Sequence, residues 1–263
     1  MKSKPMLVID SHLHLDEKVD GTALGGALEL DRQLADAGVA RGVVLHLEFQ
    51  PWGIEEFSEA ISKTQLIKAF VNLHPDQPDV NSTLRYAIEK LGYVGLKLHP
   101  RLQEFAVDDP ATVRLVQAAG EMGVPVLIDA FPDGTHLMQG FDPVKYAMLA
   151  KQCPGTRIIW AHMGGHYVFD FMMLAKRLPN VFFDISYSLL YYQKSSIPVN
   201  MVYAMRSMKF DRIFYGSDYP DRPIATSLQQ SLEFLAGQGL TDEQFAKIMS
   251  GNACDFFGWT DLN

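Results

Sequence analysis

Eight short apolar runs, separated by stretches of helical pattern, constrain this chain more than any other feature. They span residues 6–10, 42–47, 66–73, 93–98, 124–130, 156–161, 180–186 and 212–216. Most are near-continuous Val, Ile, Leu and Phe, which suits strands buried on both faces of a parallel sheet. Between them, residues 24–37, 54–62, 79–91, 109–122, 142–152, 167–177, 196–208 and 224–235 read as helices. Asp109-Pro110 and Asp142-Pro143 each set an N-cap before a proline at the first helical position. Asp79 and Asn81 are cap candidates for the third helix, and Thr241 with Gln244 forms a capping box for a last helix. Run starts lie about 24 to 36 residues apart, the length of one βα unit. Eight such units in series predict an α/β fold, a (β/α)8 TIM barrel, as one domain over residues 1–263. An open doubly wound sheet is the fold alternative. It would usually carry a glycine-rich turn after the first strand, where Asp10-Ser11-His12 stands instead.

Composition narrows the function classes. A net charge of −8 gives no nucleic-acid footprint. Cys153 and Cys254 make no C-x-x-C and no disulfide framework, which fits a reducing compartment. The apolar run before Asp10 is too short for a signal-peptide core, and none approaches the ~18 residues of a membrane span. The expectation is a cytoplasmic protein acting on a small molecule, with no nucleic-acid or membrane partner. A homo-oligomer stays open.

The polar residues at the run ends carry the chemistry. Strand alternation points His12 and His14 the same way, a half-site for a divalent metal. His46 lies near the end of run 2, and His74, His99 and His162 follow runs 3, 4 and 6. His136 and His166 fall in the loops after runs 5 and 6. In a barrel these positions map to the C-terminal face, where active sites are built. Any one of them is explained as a structural residue; the set is harder to explain so. Asp218, after run 8, reads either as a turn residue before Pro220 or as a carboxylate that binds metal and accepts a proton. Lys97 and His99 share one face of run 4, and a lysine inside a barrel is costly without a partner. Lys97, Arg101 and Arg222 form a cationic group at the expected mouth of an acidic protein. They predict a substrate with at least one carboxylate.

Four motifs carry a resemblance: Asp10-Ser11-His12-Leu13-His14, Gly95-Leu96-Lys97-Leu98-His99-Pro100, Trp160-Ala161-His162-Met163-Gly164-Gly165 and Tyr215-Gly216-Ser217-Asp218. Together they resemble the amidohydrolase superfamily, in the amidohydrolase-related branch that includes aminocarboxymuconate semialdehyde decarboxylase. The tail Ile248-Met249-Ser250-Gly251-Asn252-Ala253 is similar to its C-terminal helix. The resemblance implies His12 and His14 as metal ligands and Asp218 as ligand and general base. It implies His162 as the group that polarises a carbonyl or stabilises an oxyanion. From their charge and placement, and not from the resemblance, Lys97, His99, Arg101 and Arg222 are the expected substrate contacts. The implied cofactor is a single Zn2+. One departure stands out. Where the family usually ends strand 5 with a histidine, this chain has Asp129. A carboxylate can ligate zinc, and a site of two histidines and two aspartates would be harder and more tolerant of Mn2+. Inward orientation of Asp129 follows from the resemblance alone, because both faces of its run are apolar.

The first functional expectation is a metal-dependent hydrolase of an amide, ester or lactone in a small carboxylate-bearing compound. The others are a non-oxidative decarboxylase with the same ligands, a metal-free lactonase, and a catalytically dead barrel that only binds.

Overall fold

The computed structural model describes residues 6–262, so the two ends of the expected domain lie outside the described residues. The strands are β1 (Ile9–Leu13), β2 (Arg41–Leu45), β3 (Ile67–Asn72), β4 (Gly95–Leu98), β5 (Val126–Ile128), β6 (Ile158–Trp160), β7 (Val181–Asp184) and β8 (Ile213–Phe214). They pair in sequence order, every ladder parallel. The seam closes when Ser11 N donates to Tyr215 O (3.0 Å), Asp218 N to His12 O (2.9 Å) and His14 N to Tyr219 O (2.8 Å). The result is the expected (β/α)8 barrel.

Eight helices alternate with the strands: α1 (Ala23–Asp36), α2 (Ile54–Ile61), α3 (Val80–Glu89), α4 (Pro110–Glu121), α5 (Pro143–Gln152), α6 (Val168–Ala175), α7 (Ile197–Ser207) and α8 (Ile224–Ala236). The Asp-Pro starts work as expected: Asp109 accepts from Ala111 N and Asp142 from Val144 N. Thr241 and Gln244 make the reciprocal capping box of α9 (Asp242–Ala246). Asp79 differs from expectation. It precedes α3 in a left-handed conformation (φ 55°), and its side chain caps nothing.

Two further differences bear on the site. β1 starts at Ile9 rather than at residue 6, so His12 lies inside the strand, and the register shifts between Asp10 and Leu13. Such an irregularity re-aims side chains at a barrel rim. Short helical turns also follow the strands, at Pro100–Gln103, Gly134–Met138 and Ser188–Tyr191. His136, expected in a loop, sits in the second of these.

One apolar layer fills the space between sheet and helices. A second fills the lower barrel with Ile9, Val43, Leu45, Phe70, Leu127, Ile159 and Phe214. The helix α10 (Asn252–Phe257) plugs it from below with Ala253, Cys254 and Phe256. Leu127 faces this interior, and Asp129 shares its face by alternation. That settles the orientation the sequence left open: Asp129 points inward and is buried. The barrel is therefore apolar below and polar above. Among the described residues, no helix is long and apolar enough to cross a membrane.

Candidate active site

Three side chains meet at the β1–β8 seam. His12 Nε2 lies 3.2 Å and His14 Nε2 3.5 Å from Asp218 Oδ1. The far nitrogen of each imidazole is anchored: His12 Nδ1 by Asp184 Oδ2 (3.0 Å) and His14 Nδ1 by the Leu45 carbonyl (2.9 Å). Each anchor is an acceptor, so Nδ1–H donates to it and an Nε2 lone pair is left turned inward. Burial pulls His12 down to about 4, which keeps it neutral and able to ligate. Burial pushes Asp218 up, but His12, His14 and His162 outweigh it and hold the carboxyl below its ordinary range.

The backbone is shaped for this meeting. Asp218 itself has φ 59°. A Cβ on Gly216 would stand 2.8 Å from His12 Cβ and 3.0 Å from Ser186 Cβ, so only glycine lets β8 pass that close. Asp10 Oδ1 accepts from Ser217 N (2.9 Å) and His12 N (3.3 Å), tying the two ligand-bearing segments together.

Behind His12 lies a buried hub at the end of β7. Asp184 Oδ1 accepts from the backbone of His162 (3.0 Å) and from the Ser186 hydroxyl. Ser186 Oγ also stands 3.0 Å from His162 Nδ1 and 3.2 Å from His12 Nδ1. His162 and Met163 take left-handed conformations (φ 63° and 48°) to turn out of β6. His162 Nε2 then reaches Asp129 Oδ2 at 3.1 Å. Burial lowers His162, yet the Asp129 hydrogen bond and the surrounding carboxylates of Asp218, Asp129 and Asp184 raise it to about 9.

Around Asp129 stand His99 Nε2 (3.7 Å from Oδ2) and Arg101 Nε (3.9 Å from Oδ1). Arg101 Nη1 donates to Asp133 (2.7 Å). Lys97 is fully buried, and its Nζ has no hydrogen-bond partner among the described residues. Burial lowers its amine, and Asp129, Asp218 and Asp184 oppose that. Above His162, Phe131 meets Tyr187 and Tyr191 edge-on, with ring centroids 4.9 and 5.4 Å apart. Tyr187 holds φ 54° and ψ −64°, a strained conformation at the rim of the site.

The expected residues thus fall into connected groups. His12, His14 and Asp218 come together, and His162 joins them through the β7 hub. Lys97, His99 and Arg101 gather about Asp129. Asp129 does not join His12, His14 and Asp218 in one cluster of ligand atoms; it pairs instead with His162, 3.1 Å away. Arg222 pairs with Asp221 (Nε to Oδ2 3.1 Å) and with Gln230 (Nη1 to Oε1 3.4 Å). His46 and His74 serve structure, bonding the carbonyls of Trp52 (3.1 Å) and Gln103 (2.9 Å). His136 bonds the Phe131 carbonyl (3.0 Å) and His166 the Tyr192 hydroxyl (3.0 Å). Asp184 and Ser186 were not singled out from the sequence. Their signal was a polar pair one residue apart at the end of an apolar run, the same signal His12 and His14 give.

A divalent ion fits the first group. Two neutral imidazole nitrogens and a carboxylate oxygen face one another, each imidazole fixed from behind. A second cluster, His12, His162 and Asp184, suits an ion less, because its polar atoms are spent on one another, on Ser186 and on Asp129.

The amidohydrolase family profile matches residues 9–259. No curated protein matches the chain by sequence. Among solved structures, it is similar to a probable 2-pyrone-4,6-dicarboxylic acid hydrolase from Acinetobacter baumannii, crystallised with citric acid. They share 15% identity over 96% of this chain and 100% of that one, with a TM-score of 0.68. An amidohydrolase from Burkholderia multivorans with bound zinc shares 15% identity over 96% and 99% (TM-score 0.67). The 5-carboxyvanillate decarboxylase of Sphingomonas paucimobilis shares 12% over 96% and 99% (TM-score 0.64).

Proposed function

Because this chain belongs to the amidohydrolase family and is an enzyme of that superfamily, we propose that it catalyses metal-dependent hydrolysis of an amide, ester or lactone bond in a small carboxylate-bearing compound. The observation that carries the reading is the convergence of His12 Nε2 and His14 Nε2 on Asp218 Oδ1 beside His162, which is paired with Asp129. His12, His14 and Asp218 would hold one divalent ion, zinc before manganese, and the ion would supply Lewis-acid activation of water and of the scissile carbonyl.

The chain's own groups do the rest. Asp218 stays ionised and takes the proton that water loses, then returns it to the leaving group. His162, held between Asp129 and Ser186, sets its positive charge beside the oxygen that gains negative charge. Lys97 Nζ and Arg101 Nε are buried donors without hydrogen-bond partners among the described residues. A substrate carboxylate would satisfy both. The zinc-bound and dicarboxylate-hydrolysing relatives support this reading at the level of a shared fold.

A second reading, non-oxidative decarboxylation at the same groups, is favoured by the ring wall of Phe131, Tyr187 and Tyr191, which suits a planar conjugated acid. One experiment separates them. Metal-loaded enzyme is given lactones, esters, amides and unsaturated carboxylic acids, with products and CO2 followed together. Hydrolysis products without CO2, lost in His162→Asn, support the first reading. CO2 release selects the second. Full lactonase activity after exhaustive chelation would remove the metal from the reading, and no turnover of any compound would sink both.

A further inference from the structure

The outer surface of a barrel helix meets water, so its outward positions are ordinarily polar. Three consecutive helices break that rule in the same way. Each exposes an apolar pair four residues apart, hence on one face: Val144 and Met148 on α5, Phe169 and Met173 on α6, Val199 and Tyr203 on α7. All six are between 43% and 60% exposed. α6 packs between the other two helices, and the Phe169 and Tyr203 rings touch across α6 and α7 with centroids 5.8 Å apart. The pairs therefore form one apolar face on the outer side of the helix layer.

From this face we infer that the protein is a two-fold dimer, and that the partner on α5, α6 and α7 is a second copy of the same chain. Size is the first argument. Large side chains bury roughly 200 Å² each, so six about half-exposed ones present on the order of 600 Å². That is the upper limit of what monomers leave bare, and most of the ~800 Å² per partner of a stable interface. Charge is the second. Asp170 is exposed near the start of α6 and Arg177 just past its end, flanking Met173 at similar distances. Packing α6 against its own copy, antiparallel about Met173, sets Asp170 of each chain against Arg177 of the other. A self-complementary arrangement of this kind is what an isologous interface requires.

Sedimentation velocity on the intact chain, from about 1 to 100 µM, tests the inference. The wild type is expected at twice 29.5 kDa. Met173→Glu and Tyr203→Glu should each raise the dimer dissociation constant at least about thirty-fold, the scale of an interface hot spot, with the far-UV spectrum unchanged. Asp170→Arg and Arg177→Asp should each weaken the dimer, and the double exchange should restore it. Should Met173→Glu fold poorly, Tyr203→Glu and the exchange series still decide. A wild type that stays monomeric throughout, or a dimer indifferent to all these changes, overturns the inference. So does a monomer that co-sediments with phosphatidylserine vesicles through this face.

Discussion

Asp184 Oδ2 stands 3.0 Å from His12 Nδ1, 172 residues away in sequence, and this contact decides which imidazole nitrogen faces Asp218. A carboxylate can only accept, so Asp184 favours the tautomer with the proton on Nδ1, the one that an ion at Nε2 would require. Asn at position 184 could instead turn its amide toward Nδ1, allowing the wrong tautomer. We expect Asp184→Asn to weaken zinc binding by about ten- to a hundred-fold, the usual cost of losing such a partner. Competition against a chromogenic chelator measures it. Unchanged affinity would show that His12 needs no orienting group.

Asp129 gives a prediction with two readouts. Because it pairs with His162 rather than joining His12, His14 and Asp218, Asp129→Ala should leave about one equivalent of metal bound. It should also lower the His162 pKa from about 9, since the Asp129 hydrogen bond is the largest influence raising it. The imidazolium then loses its proton at lower pH, and the alkaline limb of the kcat/KM profile moves down by at least about one unit. Loss of metal in Asp129→Ala, with the alkaline limb unmoved, would restore Asp129 as a ligand.

Lys97 and Arg101 are tested through substrate charge. Lys97→Met and Arg101→Met should each raise KM for a carboxylate substrate by about ten-fold or more, on the scale of a charge-assisted hydrogen bond. For the neutral amide or ester analogue, KM should change little. Equal effects on both substrates would remove the anion-binding role.

The sequence shows the barrel because its signals are local. Each strand core is a run such as Val126-Leu127-Ile128, and caps such as Asp109 and Asp142 act within a few residues. His12, His14, His162 and Asp218 were legible for a related reason: a polar residue at the end of an apolar run has nowhere to point but the rim. What stayed hidden depends on contacts distant in sequence. The pairing of Asp129 with His162 rather than with the His12 group follows from how far the strands stagger, which no run reveals. Asp184 looks like an ordinary strand end until His12 is placed behind it. The side-pairing of Arg222 with Asp221 and Gln230 is a rotamer outcome that spacing does not encode. The face on α5–α7 was visible as apolar residues at helical spacing, but it reads as core until burial shows it bare.

His46 supplies the pH prediction, away from the catalytic groups. It is buried against Phe57 (ring centroids 5.0 Å), bonds the Trp52 carbonyl through Nε2 and accepts from Asn72 N at Nδ1 (3.4 Å). That wiring fits only the neutral ring, and burial accordingly lowers its pKa from 6.5. The unfolded chain therefore binds more protons than the native state below about pH 6.5. Stability from His46 is fully present above that value and is lost as pH falls through it, at no more than about 1.4 kcal/mol per pH unit for one proton. Urea unfolding between pH 5 and 7.5 should show stability falling toward acid. His46→Gln, which cannot titrate, should be less stable at pH 7.5 but have a shallower slope. A slope equal to that of the wild type would assign the acid sensitivity to the other buried histidines, His12, His99 and His136.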